Sequence, residues 1–278
     1  MRNLMILYRR GGVRALLPWL FNLAHPGLVA SVLGVDVSHW NGVVNYDRAA
    51  AAGAKFVIAK ATQGSVTDSA FVRNWTDASG KLLRGAYHWL TLAGKPSALD
   101  YNGWAEKQAR IFAHAFNGDM GEIPPVVDYE DATGAPSAGT LRAALVAFLK
   151  EFELQTGVKP MIYTSPGFWR TYGSADLFWK QYELWIAHYG VASPTVPAPW
   201  ASWRLWQYAP NGPGPTYGMQ SRSADLNLFN GFVSDLSAWS AAYRAHVDDT
   251  PEPPVLTFEQ RLSALEDWRR IVDPLIFG

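Results

Sequence analysis

Asp128 and Glu130 stand two positions apart in the run PPVVDYED, residues 124–131. The run is apolar enough for a buried strand, and side chains at i and i+2 of a strand point to one face. Both carboxyls then project into the same space near the strand's end. Two acids held close together disfavour double ionisation, so one keeps a proton near neutral pH. Hydrolysis of a glycosidic bond needs that combination: one group protonates the leaving oxygen and another manages the developing positive charge. The competing reading makes one carboxyl a cap for the next loop and leaves the other in solvent.

Two further acids sit in apolar, strand-like runs: Asp36 in VLGVDVSH and Asp225 in ADLNLF. A carboxylate there is costly unless it is paired or hydrated at the mouth of a site. Lys60, in KFVIAKAT, needs an anion by the same logic, and a barrel acid is its expected partner. His39, His88 and His188 each follow an apolar run without short metal-ligand spacing, so they read as hydrogen-bonded wall residues and no metal is expected. Trp40, Trp89 and Trp206 could stack on sugars, with core packing as the default for each.

The elements that must position these groups alternate. Strand-like runs cover 32–39, 55–62, 82–90, 124–130, 160–165, 183–189, 203–209 and 224–229. Helical patterns cover 47–52, 68–79, 97–116 (behind Ser97 as N-cap) and 140–156, with a further helix near 234–244. Among the last three strands the connections are Pro-rich, PNGPGP at 210–215 above all. Five βα units followed by three irregularly connected strands imply an α/β fold: a modified TIM-like β/α barrel of eight strands with an incomplete ring of helices. In a parallel barrel, sites form where strands end, and strands one and eight are neighbours. Asp36 and Asp225 should therefore face Asp128 and Glu130 across one cleft.

The 278 residues are 49% hydrophobic, which excludes global disorder and supports a sizeable core. Net charge is +0, so no general attraction to nucleic acid is implied. There is no Cys, which rules out disulfides and thiolate metal sites.

Charge and composition divide the chain. Residues 1–33 hold Arg2, Arg9, Arg10 and Arg14 and no acid, and lead into an apolar stretch. They are expected to be a secretory signal with a cleavage site near Ser31, a membrane-associating segment, or a packed helix. Residues 34–246 are expected to form the barrel that carries the acids. Residues 247–256 form a Pro-rich linker. A separate accessory helix is expected in 257–278, where Thr257 and Gln260 fit a capping box. Val255, Phe258, Leu262, Leu265, Val272 and Ile276 share a/d spacing there, so the helix should dock on the body or self-associate.

The blocks GVDVSHWNG, FVIAKATQG, RGAYHW, EIPPVVDYE, KPMIYT, LWIAHY, LWQY and ADLNLFNG resemble, in order and spacing, the family-25 glycoside hydrolases, the Chalaropsis-type lysozymes. The resemblance covers about residues 32–231. It implies a modified β/α barrel and an N-acetylmuramidase acting on bacterial peptidoglycan without a cofactor, secreted or directed to the cell wall. It makes Glu130 the general acid, Asp128 its partner, and Asp36 and Asp225 the rest of an acidic cleft. Tyr87, Tyr163, Trp185, Tyr189 and Gln207 match positions that line the family's groove. The sequence departs at Gln63, where Glu is frequent, and at Tyr129, where a smaller apolar residue is common. Two rivals stand beside this reading. A chitinase-like hydrolase would carry further acids where Pro125, Val126 and Val127 stand. A non-catalytic wall-binding or phage structural module would not need all four acids.

Overall fold

The computed structural model describes residues 31–250. The segment expected to form the accessory helix and nearly all of the basic leader lie outside the described residues. Eight strands close into a barrel: β1 (Ser31–Val37), β2 (Phe56–Gln63), β4 (Leu83–Trp89), β5 (Val126–Asp128), β6 (Met161–Thr164), β7 (Leu184–Ala187), β8 (Leu205–Pro213) and β9 (Ser223–Asn230). The two-residue β3 (Val66–Thr67) hairpins onto β2 outside that ring. Among the described residues six α-helices accompany them: α1 (Tyr46–Ala51), α2 (Phe71–Ala78), α3 (Tyr101–Ala115), α4 (Ala138–Thr156), α5 (Pro166–Tyr172) and α6 (Val233–Asp249). No α-helix separates β7, β8 and β9, so the ring of helices is incomplete, as the Pro-rich connections imply.

Local signals set the helix ends. Ser137 accepts the Thr140 N–H at the start of α4, and Gly157 ends that helix at φ 70°. The cap of α3 is Asp100, not Ser97, because Pro96–Leu99 close a turn ahead of it. Helix α5 follows β6 where the sequence pattern marks none. Helix α6 runs to Asp249, so the first residues of the expected linker are helical.

Two boundaries and one direction differ from expectation. Strand β1 starts at Ser31 and pairs Ser31, Val32 and Leu33 with Asn230, Phe229 and Leu228. The leader boundary at residue 33 therefore cuts into the barrel. Strand β5 ends at Asp128, and Glu130 lies just past it. Last, β9 runs antiparallel to both β8 and β1, while the other barrel pairs are parallel. A short hairpin-like return joins β8 to β9, and without a crossover helix the chain cannot come back parallel.

The barrel is filled from below. Phe56, Ile58, Val126, Met161, Leu205 and Phe229 pack together in its interior, and Leu236 of α6 joins them from beneath. Gly34 faces Phe56 across β1 and β2, and a Cβ there would lie 2.3 Å from the ring. Above this apolar floor the inward positions become polar. A second apolar layer, between the strands and the helices, makes up the rest of the core.

Candidate active site

One pocket of about 170 Å3 opens at the polar end of the barrel. It is lined by Asp36, Tyr87, Trp89, Asp128, Glu130, Tyr163, Trp185, Tyr189, Gln207 and Asp225. The structure thus brings together the four acids and the five groove residues marked from the sequence, and with them Trp89, one of the three tryptophans offered there as sugar-stacking rings. Asp36 and Asp128 stand near the C-terminal ends of β1 and β5. Asp225 stands near the start of β9 and reaches the same mouth only because that strand is reversed. The register sets it opposite Asp36.

Asp36 has two amide donors on one oxygen. Its Oδ2 accepts Gln207 Nε2 and Asn227 Nδ2, each at 2.8 Å. Those amides are held in turn: Tyr163 and Tyr189 donate to Gln207 Oε1, and Trp185 Nε1 donates to Asn227 Oδ1 at 2.9 Å. Asn227 is the site residue that the sequence analysis missed. Its spacing of two from Asp225 on one strand was the available signal.

Asp128 is 5% exposed, and its Oδ1 is buried with no hydrogen-bond partner. Burial raises all four acids, and repulsion from neighbouring carboxylates adds to it at Asp128, Glu130 and Asp225. Asp36 rises to about 6, held down by its two amide donors. Glu130 rises to about 7, through burial and then the charges of Asp36 and Asp131. Asp225 rises to about 8, through burial, Asp36 and Glu130. Asp128 is pushed well above the usual carboxylate range by burial and by Glu130, with Lys60 opposing.

Lys60 forms no ion pair with any of these acids. Its Nζ donates to Gln63 Oε1 at 2.6 Å and lies 4.8 Å from the centre of the Trp89 ring. The expected anion partner is thus replaced by an amide. A register shift between Lys60 and Thr62 in β2 is the cause: the extra residue puts positions 60 and 63 on one side. The histidines are hydrogen-bonded wall residues. His88 is buried between Thr62 and Gln108, and burial holds its pKa down at about 3. His39 meets Asp68, and His188 accepts the Thr195 N–H. Trp206 is core, whereas Trp40 is 79% exposed. Among the described residues no group of three His, Asp or Glu side chains is arranged to hold a metal ion.

The sequence profile described as glycosyl hydrolases family 25 matches residues 35–217. The chain belongs to that family. Lysozyme M1 of Streptomyces globisporus is 34% identical over 224 residues, which is 77% of this chain and 72% of that protein. The N,O-diacetylmuramidase of a Chalaropsis species is 33% identical over 74% of this chain and 97% of its own length. Among solved structures, a bacterial lysozyme from Streptomyces coelicolor superposes with a TM-score of 0.66 at 30% identity, covering 77% of this chain and 99% of that one. A family-25 lysozyme from Aspergillus fumigatus gives 0.62 at 28% identity over 76% of this chain and 99% of that one. This family-25 chain is therefore a glycoside hydrolase on a modified β/α barrel.

Proposed function

We propose that the chain is a peptidoglycan muramidase, secreted or acting at the cell wall, which cleaves the β-1,4 bond between N-acetylmuramic acid and N-acetylglucosamine. The observation that carries this reading is the pairing of Glu130, half-buried and with its pKa raised to about 7 so that a large share keeps its proton at neutral pH, with a buried Asp128 whose Oδ1 lacks a partner in one pocket. Glu130 gives its proton to the glycosidic oxygen as the C1–O bond breaks. The acetamido oxygen of the same sugar attacks C1 and forms a cyclic oxazolinium ion. Asp128 acts as the carboxylate of the pair, its charge supported by Lys60: it accepts the acetamido N–H through the unpartnered oxygen and stabilises the positive charge that develops there. Water then adds to C1, Glu130 takes its proton back, and the ring opens. The sum is one bond hydrolysed, with the anomeric configuration retained.

Two carboxyls on one strand-to-loop segment approach the sugar from one side. That fits assistance by the substrate's own acetamide better than an acid and a nucleophile facing each other across the ring. Purified cell walls test the reading. The chain should release soluble fragments with new muramic acid reducing ends, identified by mass analysis. Glu130→Gln, which keeps the shape and removes the proton, should cut the rate by about a hundred to ten-thousandfold. A folded Glu130→Gln protein with near-normal turnover would remove Glu130 from this role. An NMR time course that shows the inverted anomer first would rule out acetamide participation.

The leader enters this proposal as a secretory signal, a membrane-associating segment or a packed helix, and the C-terminal segment as an accessory that docks on the body or self-associates. Among the described residues no helix is long and apolar enough to cross a membrane.

A further inference from the structure

An asparagine followed by glycine is the dipeptide most open to cyclisation, because no side chain on the second residue shields its amide nitrogen. The sequence holds five: Asn41–Gly42, Asn102–Gly103, Asn117–Gly118, Asn211–Gly212 and Asn230–Gly231. The fold holds four of them in place. Asn41 is buried; its Oδ1 accepts the Ser38 N–H, its Nδ2 donates to Ser221 Oγ, and the Gly42 N–H donates to the His39 carbonyl. Asn102 lies in the first turn of α3, where the Gly103 N–H donates to Asp100 Oδ1 at 2.7 Å. Asn211 and Gly212 lie in β8, with Gly212 opposite Ala224 of β9. Asn230 pairs with Ser31 in the barrel, and its Nδ2 donates to the Trp203 carbonyl at 3.0 Å.

Asn117 differs from all four. It is exposed in the turn after α3, and among the described residues it is the one non-glycine with a positive φ, 47°. Among those residues no protein atom bonds its side-chain amide or the Gly118 N–H. A Cβ built at Gly118 would meet nothing within 4 Å, so water reaches the nitrogen freely. The bonds that fix the turn stand on either side: the Asn117 N–H donates to the His114 carbonyl at 3.2 Å and the Asp119 N–H to the Phe116 carbonyl at 3.0 Å. The peptide unit between positions 117 and 118 is left to rotate until its nitrogen faces the side-chain carbonyl carbon.

We propose that Asn117 is a modification site, the position at which this chain spontaneously deamidates. The Gly118 nitrogen gives its proton to water or hydroxide and attacks Asn117 Cγ, and ammonia leaves. Water then opens the five-membered imide at one of its two carbonyls, giving an aspartyl or an isoaspartyl linkage. One water enters and one ammonia departs, with no oxidant or reductant. This inference does not rest on the muramidase reading. The place of the turn gives the product a consequence. Asp119, two residues on, accepts Arg84 Nη1 at 2.8 Å, Trp75 Nε1 at 3.1 Å and the Gly121 N–H at 3.1 Å. It thereby ties the start of β4 to α2. An added carboxylate, or an added backbone carbon, displaces that clamp and leaves the buried Arg84 with one carboxylate fewer. Arg84 stands at the floor end of β4 and Trp89 at the mouth end, so stability should suffer and turnover should not.

The test is storage of the full chain in mildly alkaline buffer made with oxygen-18 water, followed by peptide mapping. The peptide with position 117 should gain the heavy oxygen and lose ammonia about tenfold faster than any of the other four, since loops open at almost no cost while helices and strands resist. Cleavage by an aspartate-specific protease should fail for the isoaspartyl share. The stored chain should melt roughly 2–4 °C lower, with the rate of wall lysis per folded molecule unchanged. Asn117→Gly, which suits a positive φ, should keep its melting temperature through storage. Asn117→Asp, which has no ammonia to lose, gives the same reading if the glycine variant folds poorly. An intact Asn117, or earlier change at Asn211 or any other pair, overturns the proposal. An equal loss of melting temperature in parent and variants overturns the role given to the Asp119 clamp.

Discussion

The two ends of the barrel follow opposite rules. At the floor, Phe56, Met161, Leu205, Phe229 and Leu236 interlock, and even a methyl group at Gly34 has no room. At the mouth, four carboxyls crowd one pocket, each raised by burial, and Asp128 Oδ1 has no partner. The mouth is divided again within itself. Asp36 has two amide donors on one oxygen, while Asp128 has a bare one. A buried acceptor left unmatched costs about 1–3 kcal/mol, so the fold holds an energetic debt at the position where the acetamide is proposed to bind. The floor supplies the rigidity that keeps it there.

The sharpest way to break this comparison is Asp128→Asn. The amide keeps the shape but cannot offset positive charge on the acetamido group. We expect turnover on walls to fall about a hundred to a thousandfold, as for loss of a preorganised electrostatic contact. The melting temperature should hold or rise. Stopped assays of fragment release, alongside calorimetry, check both. A modest rate loss would mean that the bare oxygen is not used.

Next in size is a change at the floor. Gly34→Ala puts a Cβ 2.3 Å from the Phe56 ring, and both strands are fixed by their pairing. Overpacking of this kind costs roughly 1–3 kcal/mol. The urea midpoint should drop, while the surviving folded protein keeps its catalytic rate. If stability is untouched, the floor is softer than described.

These two positions also mark what the sequence could reveal. The apolar alternation of β1, β2 and β4 made the floor legible, because a period of two sends every second residue inward. The acids at the mouth were legible for the same reason. The direction of β9 was not. The pattern ADLNLF reads alike in either sense, yet a parallel β9 would place Asp225 at the floor, and only the reversed strand brings it opposite Asp36. The partner of Lys60 was hidden by the register shift in β2, since a bulge leaves no mark in a run of apolar residues. The support of Asp36 by Asn227 was visible as a spacing of two, but only once Asp225 was placed at the mouth.

A smaller effect ties Asp36 to Glu130 through pH. Asn at position 36 could still accept both amide N–H groups through its oxygen, so Asp36→Asn removes charge while keeping the contacts. The Asp36 charge is the second cause, after burial, of the rise of Glu130 to about 7. Without it the Glu130 proton is lost at lower pH. The alkaline limb of the rate profile, expected near pH 7 for the parent, should move down by about one unit or less. An unmoved limb would mean that the two acids do not sense each other.

The smallest effect is on stability, and its sign follows from the direction of the shifts. Asp225 has a folded pKa of about 8, raised by burial and then by Asp36 and Glu130, against 3.8 when unperturbed. Between those values the folded chain binds a proton that the unfolded chain has released, so stability falls as pH rises from about 4 to about 8. Asn does not titrate, and Asp225→Asn escapes that loss. Its melting temperature relative to the parent should therefore climb across this window and level off above it. The gain is discounted because Asp225 is only partly buried and solvent screens its neighbours. At about 2–4 °C per kcal/mol for a chain of this size, a rise of a few degrees at pH 8 is the expected scale. No such climb is expected at Gly34, where nothing titrates. Melting curves of parent, Asp225→Asn and Gly34→Ala at pH 4.5, 6 and 8 would show whether pH sensitivity resides in the mouth alone. An advantage for Asp225→Asn that stays constant across that range would mean its proton is not shared with Asp36 and Glu130.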